Sequence, residues 1–223
     1  MKNRASMELS VKYFYDKVLS IVLLFFLSPV LLFIAFTIWF EDRGKFFFTQ
    51  SRLGLNGKIF RIWKFRTMVE DADNLLNIDG TVSVNRITRV GNLLRRSSLD
   101  ELPQLINILK GEMSFIGPRP VLPSHLIRYT DEQKKRLGMK PGITGLAQVN
   151  GRNTLLWSKR IEFDIEYIKN YSLWLDVIIF IKTIKVLMSR EGIVADRNTS
   201  QVDDLTSGQF TQYQEGNNNE KKN

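Results

Sequence analysis

The sequence contains no cysteine. Disulfides, thiolate nucleophiles and cysteine-based zinc sites are therefore excluded. Histidine occurs once, at His125, which excludes multi-histidine metal centres and argues against a serine–histidine triad. Just past a proline-rich loop, that lone imidazole reads as a packed or solvated side chain. None of the 14 glycines is spaced as GxGxxG or as a phosphate-binding loop. Acidic charge is the minority sign, 23 Asp and Glu against 32 Lys and Arg, for a net charge of +9. Because residues 196–223 hold three basic and five acidic side chains, the rest of the chain carries +11. A body that basic expects phosphates, acidic lipid or nucleic acid as company. The 223 residues, 43% of them hydrophobic, are enough for one domain with a sizeable core.

Val18 to Phe40 is the strongest signal present, 23 positions without a charge. As a straight helix it would be roughly 35 Å long, enough to span a bilayer. It does not read as a cleaved signal peptide, since no small-residue cleavage pattern follows before Glu41-Asp42-Arg43. Ser28-Pro29 lies mid-segment, where proline removes one backbone hydrogen bond and crowds the preceding turn. Lys2, Arg4, Lys12 and Lys17 precede the run, and Arg43, Lys45 and Arg52 follow it. Both flanks being basic, charge asymmetry does not orient a span. Two topologies stay open. One is a helix–break–helix that enters one leaflet and returns; the other is a kinked single span.

Residues 44–68 read as a hairpin turning at Asn56-Gly57. On its second arm Lys64 and Arg66 share strand parity and would project from one face. Such a pair suits a diphosphate, or equally a basic surface against acidic headgroups. The acidic stretch that follows, up to Asn85, reads as a helix and a loop without chemistry. Arg89, Arg95 and Arg96 then lead to Ser98–Pro120, SLDELPQLINILKGEMSFIGPRP. Here Ser98 is expected to N-cap a helix, with Glu101 completing a capping box and Gly111 ending it. Leu99, Leu102, Leu105, Ile106 and Leu109 make a stripe to be buried, with Asp100, Gln104 and Asn107 opposite and Glu101 at the border. Two adjacent carboxylates at a helix N-terminus can be ordinary dipole complements. Beside several arginines they also make a site for anions and a divalent cation. Pro118-Arg119-Pro120 holds one guanidinium stiffly, as a phosphate ligand requires.

Further on, PGITGLAQVNGRN is glycine-dense enough to let backbone amides approach a ligand, a weak signal by itself. Trp174, Val177, Ile178, Ile181, Ile184, Leu187 and Met188 form an apolar helical face with Lys182, Lys185 and Arg190 beside it. That face fits a membrane interface or an ordinary core. From Asp196 the chain is polar and low in complexity, and disorder is expected there.

KFRTM (64–68), RRSSLDELPQLINILKGEMSFIGPRP (95–120) and PGITGLAQVNGR (141–152), behind a Ser-Pro hydrophobic segment, resemble the bacterial sugar transferases known as monotopic phosphoglycosyl transferases. The likeness covers residues 12 to 190; GRNTLLWSKRIEFDIEYIKNYSLWLD is similar to the diacetylbacillosamine-phosphate transferase type and hints at an N-acetylated sugar. The resemblance implies transfer of a sugar-1-phosphate from a UDP-sugar to undecaprenyl phosphate at the cytoplasmic face of the bacterial inner membrane. Capsule, exopolysaccharide, O-antigen or glycoprotein glycan assembly would start there, with downstream glycosyltransferases following. It implies an α+β, mainly helical monotopic fold. Residues 1–17 would be a basic arm, 18–40 a re-entrant helix broken at Ser28 and Pro29, 41–195 a catalytic domain on the membrane surface, and 196–223 a disordered tail.

Carried onto matching positions, the resemblance makes Asp100 the nucleophile, with UMP leaving, and Glu101 its partner. Mg²⁺ is the implied cofactor, with Asp100 as its ligand. Arg95 and Arg119 match positions expected to contact phosphates, and Asp176 an acidic position with a structural or supporting role; Lys64, Arg66, Gln148 and Arg152 are further candidates for phosphate or nucleotide. An ionised aspartate is what such attack needs, and a helix N-terminus with arginines favours it. Competing readings are a membrane-tethered module for nucleic acid or acidic lipid, and a scaffold for polysaccharide export. Neither accounts for an Asp-Glu pair beside a rigid arginine, and no nucleic-acid-binding motif is present.

Overall fold

The computed structural model describes residues 2–70, 86–151, 154–189 and 204–205. They fall into two compact units, Met1–Gln50 with Arg61–Ser114, and Ser51–Phe60 with Phe115–Asn223. The stretch read as one catalytic domain, 41–195, is thus divided between them. The expected helix and loop before Asn85 lie outside the described residues.

In the first unit, α1 (Lys2–Asp42) runs through Pro29 without interruption. The break expected at Ser28 and Pro29 is therefore not found. Proline lacks the N–H that would bond the Phe25 carbonyl one turn back, and the Ser28 hydroxyl donates to that same carbonyl at 2.7 Å. A local side chain thus replaces the missing backbone donor. Burial along α1 is uneven. Lys12, Asp16 and Ser20 are buried near one end, Ile34 and Ile38 near the other. Between them Phe25, Phe26, Leu32 and Phe33 are 68–74% exposed. Both ends meet the same unit: Ser114 Oγ donates to Asp16 Oδ2 at 2.6 Å, and Ile34 and Ile38 cluster with Phe65 and Leu94.

Strands β1 (Phe47–Leu53) and β2 (Ile59–Phe65) form the expected hairpin. Asn56 and Gly57 turn it in left-handed backbone, at φ 54° and 76°. Helix α2 (Arg89–Ser97) is N-capped by Thr88, whose hydroxyl accepts from Gly91 N. Its first amides are taken by α1: Arg89 N and Val90 N donate to the Glu41 carboxylate at 2.8 and 3.2 Å. A Cβ at Gly91 would lie 2.2 Å from the Thr67 carbonyl, so only glycine lets α2 rest on that backbone.

The single capped helix expected from Ser98 is not formed. Ser98 sits in left-handed backbone (φ 57°) without a side-chain cap bond, and its N–H closes α2 on Leu94 and Arg95. A 3₁₀ turn, Leu99–Glu101, follows, and only then α3 (Gln104–Leu109). The tighter turn shifts the phase of the helical wheel. Gln104 and Asn107, expected outside, are consequently buried, as is Ile108, while Leu109 is 38% exposed. Gly111, at φ 79°, stops the helix as the sequence indicated.

Strand β3 (Ser114–Ile116), whose first residue belongs to the first unit, pairs with β4 (Gly142–Thr144). A Cβ on Gly142 or Gly145 would come within 2.2 Å of Gly117 backbone. These two glycines therefore serve backbone packing and not a ligand cradle. Short helices α4 (Asp131–Lys134), capped by the Thr130–Gln133 box, and α5 (Leu146–Val149) precede the longer α6 (Trp157–Lys169) and α7 (Leu173–Ser189). The core gathers Leu53, Val121, Tyr129, Ile161, Ile165 and Leu205, with Trp157 packed on it. His125 is a packing residue, its ring 4.7 Å from Trp157.

Leu205 corrects the expectation of a wholly disordered tail. It is buried, and its carbonyl accepts from Arg128 at 2.9 Å. Leu156, at the N-cap of α6, makes no side-chain cap bond. Asp204 supplies the cap from far along the chain, accepting from Ser158 N at 2.9 Å and from the Ser158 hydroxyl. Helix α7 buries Asp176 and Ile179 and leaves Trp174, Phe180, Ile181 and Met188 exposed. Its apolar face is not the face of a core helix.

Candidate active site

The 3₁₀ turn after Ser98 presents Asp100 and Glu101 side by side, their side chains only 13% and 14% exposed. No long helix N-terminus supports them, because the turn follows the C-terminal end of α2 and α3 is short. Positive potential comes from side chains instead. Lys64, near the end of β2, reaches Glu101 Oε1 at 2.6 Å and Asp100 Oδ2 at 3.7 Å. One ammonium thus lies against both carboxylates and opposes their mutual repulsion. Arg95, in the last turn of α2, is fixed by a bond from its Nε to Thr67 Oγ1 at 2.8 Å. Burial draws its guanidinium below the usual arginine range, and the charge of Asp100 pulls the other way. Even a lowered arginine stays protonated near neutrality, so a second cation faces Asp100.

Arg66 does not join them. The strand ends at Phe65, so the parity linking Lys64 to Arg66 lapses one residue too soon. Arg66 pairs instead with Asp42 and, at 3.6 Å, with Glu70. Its charge is met within the unit, and a diphosphate clamp made of Lys64 and Arg66 is not what the structure shows. The part of Lys64 in the carboxylate pair was missed in the sequence because long-range pairing leaves no local spacing to read.

The remaining residues expected at the site belong to the second unit. Arg119 is exposed, its carbonyl accepting from Arg136 at 3.1 Å. Burial lowers the Arg160 guanidinium, as do the nearby cations Arg119 and Arg136. Gln148 donates to the Ile143 carbonyl at 3.0 Å. Asp176 accepts from the Tyr167 hydroxyl at 2.6 Å, which makes it a framework residue of α6 and α7. Arg152 lies outside the described residues.

Among the described residues, no group of three or more His, Cys, Asp or Glu side chains could enclose a metal. Mg²⁺ asks for less, one or two carboxylates with waters and substrate phosphates. Adjacent, partly accessible oxygen donors on Asp100 and Glu101 fit that requirement.

A family model described as "Bacterial sugar transferase" matches residues 7–190. The chain is 40% identical over 201 residues to the "Uncharacterized sugar transferase EpsL" of Bacillus subtilis, covering 90% of this chain and 96% of that one. Over 197 residues it is 40% identical to the undecaprenyl-phosphate galactose phosphotransferase of Salmonella typhimurium, covering 82% of this chain and 41% of the relative. With the UDP-glucose:undecaprenyl-phosphate glucose-1-phosphate transferase of Escherichia coli the identity is 42% over 184 residues, 78% of this chain and 40% of the relative. The chain thus spans about two-fifths of the length of those last two and nearly all of the first.

Proposed function

From the premise that this chain belongs to the bacterial sugar transferase family, we propose that it is a phosphoglycosyl transferase moving a sugar-1-phosphate from a UDP-sugar to undecaprenyl phosphate. The observation that carries this is the Asp100–Glu101 pair held by Lys64 at 3.7 and 2.6 Å with Arg95 beside it. A lipid-binding or scaffolding module has no use for two carboxylates kept together in that way.

Asp100 attacks the sugar-proximal phosphorus through a carboxylate oxygen. The bond from that phosphorus to the bridging oxygen breaks, and UMP leaves with the electron pair. An oxygen of undecaprenyl phosphate then attacks the same phosphorus, displacing Asp100 and restoring its carboxylate. The acceptor is largely dianionic near neutrality, so this second step needs little base. Each step makes one bond to phosphorus and breaks one. The first exchanges a phosphoanhydride for an acyl phosphate and the second reverses that exchange. Lys64 screens the approach of an anionic substrate to two carboxylates, and Arg95 offers a fixed cation at Asp100. Mg²⁺, held by Asp100 and Glu101, would shield the diphosphate and neutralise the leaving group. Arg119 is assigned to a phosphate on the grounds of its rigid Pro-Arg-Pro setting.

The enzyme is placed at the cytoplasmic face of the bacterial inner membrane. On this reading the exposed middle of α1 enters one leaflet and the unbroken helix bends at Pro29, so that both its ends stay on the cytoplasmic side. Two facts support this topology: Asp16 on one arm and Ile38 on the other both pack within the first unit, while Phe25, Phe26, Leu32 and Phe33 between them are exposed. The exposed face of α7 and its lysines suit the headgroup layer. Glycan assembly, by downstream glycosyltransferases, would follow. Incubation with a panel of UDP-sugars and a polyprenyl phosphate tests the reading and identifies the sugar. UMP release is expected, with Asp100→Asn abolishing it and leaving membrane association intact. Release of UDP, or full turnover by Asp100→Asn, would overturn the assignment.

A further inference from the structure

Asn107 is wholly buried, and every polar atom of its amide is engaged. Its Oδ1 accepts from Trp63 N at 2.9 Å, and its Nδ2 donates to Arg61 O at 2.8 Å and to Glu112 Oε2 at 2.7 Å. Trp63 N–H and Arg61 C=O are alternate groups on one edge of β2, the pair that a neighbouring strand would bond. The opposite edge of β2 is paired with β1. A single side chain on α3 therefore takes the place of a third strand. Only a carboxamide offers a neutral donor and acceptor in that arrangement.

The clamp's position matters more than its strength. Trp63 immediately precedes Lys64, and α3 follows directly from the turn bearing Asp100 and Glu101. Lys64 Nζ reaches back to Glu101 at 2.6 Å, so the contacts close a ring: Lys64, the Arg61–Trp63 edge of β2 held at both its groups by Asn107, α3, Glu101 and Lys64 again. Lysine has a long flexible stem, and its reach to a given point is set by where its backbone is held. We propose that Asn107 is a positioning residue that fixes Lys64 against the Asp100–Glu101 pair. The inference rests on the reading of Asp100 as nucleophile.

Replacing a buried amide also perturbs the fold, so the test separates the two bonds of Nδ2. In Asn107→Asp the bond from Trp63 N survives, but an oxygen now faces both Arg61 O and the Glu112 carboxylate. Adding Glu112→Gln gives that oxygen a donor and leaves the bond to Arg61 O unmade. The double variant is expected to regain most of the Tm lost by the single one. Its kcat for UMP release stays about tenfold below wild type with KM for the donor little changed, the signature of a misplaced group and not of weakened binding. Recovery of kcat in step with Tm would show Asn107 to be structural only. Should Tm not recover, amine labelling followed by mass spectrometry decides: Lys64 is expected to react several-fold faster relative to Lys58 on the same hairpin, and an unchanged ratio overturns the proposal. Asp100→Asn, run in parallel, reports on the nucleophile separately, since its full activity would remove the premise whatever position 107 does.

Discussion

Lys64 shows how one side chain's meaning depends on a residue distant in sequence. Its basic, alternating neighbourhood in KIFRIWKFR was legible, and so was the Asp100–Glu101 pair, but their contact is set by packing across 37 residues. Lys64→Met leaves two carboxylates close together without their cation and should lower kcat/KM for UMP release by about a hundredfold. Activity within a few-fold of wild type would remove Lys64 from the chemistry. A fully buried cation, Arg136, tests stability instead of turnover. Arg136 is sealed against Asp164 and the Tyr129 hydroxyl. Burial pushes the Asp164 carboxyl up to about 6, and the Arg136 charge opposes that rise. A folded-state value above the ordinary carboxylate range means that this group favours folding most in acid. That contribution is lost as pH climbs through about 6. Arg136→Met deprives the ionised carboxylate of its partner, so unfolding at pH 8 should require about 3–5 kcal/mol less than in wild type. The deficit should shrink at pH 5, where Asp164 takes up a proton. Denaturant titration at both values measures it, and an equal deficit would contradict the sign.

Among the elements, α1 and the β1–β2 hairpin were readable because their signals are local: an uncharged run, and Asn-Gly between apolar arms. The Ser98–Gly111 stretch was misread for a physical reason, since a left-handed Ser98 and a 3₁₀ turn alter the period on which the wheel depends. The latch of Asp204 and Leu205 escaped notice because two residues in a polar tail carry no periodicity. It joins chain segments 46 residues apart. Leu205→Ala should lower the stability of the second unit by about 2 kcal/mol, the low end for a buried leucine, readable as a drop in Tm. No change would mean that the tail rests on the core without contributing to it. The cap has its own pH dependence. Slight burial would raise the Asp204 carboxyl, but its bonds from Ser158 outweigh that and hold it below the usual range. The cap is therefore complete above the ordinary aspartate range and is lost as pH falls through the depressed value.

At the scale of the whole molecule, charge and the uncharged run pointed to membrane association, whereas topology lay beyond sequence physics because both flanks of α1 are basic. The proposed topology rests instead on burial along α1. If both ends lie in the cytoplasm, Ser6→Cys, the sole thiol in an otherwise cysteine-free chain, should react with a membrane-impermeant maleimide only after the inner membrane is opened. Labelling of intact spheroplasts from the outside would show a span. The grip of Glu41 on the first amides of α2 has a temporal consequence. During synthesis α1 emerges long before α2, so the carboxylate that takes the first two amides of α2 is already made when they appear. A shift of that hydrophobic helix would release those amides to water and loosen the seat of Arg95, which ties the candidate site to the state of α1.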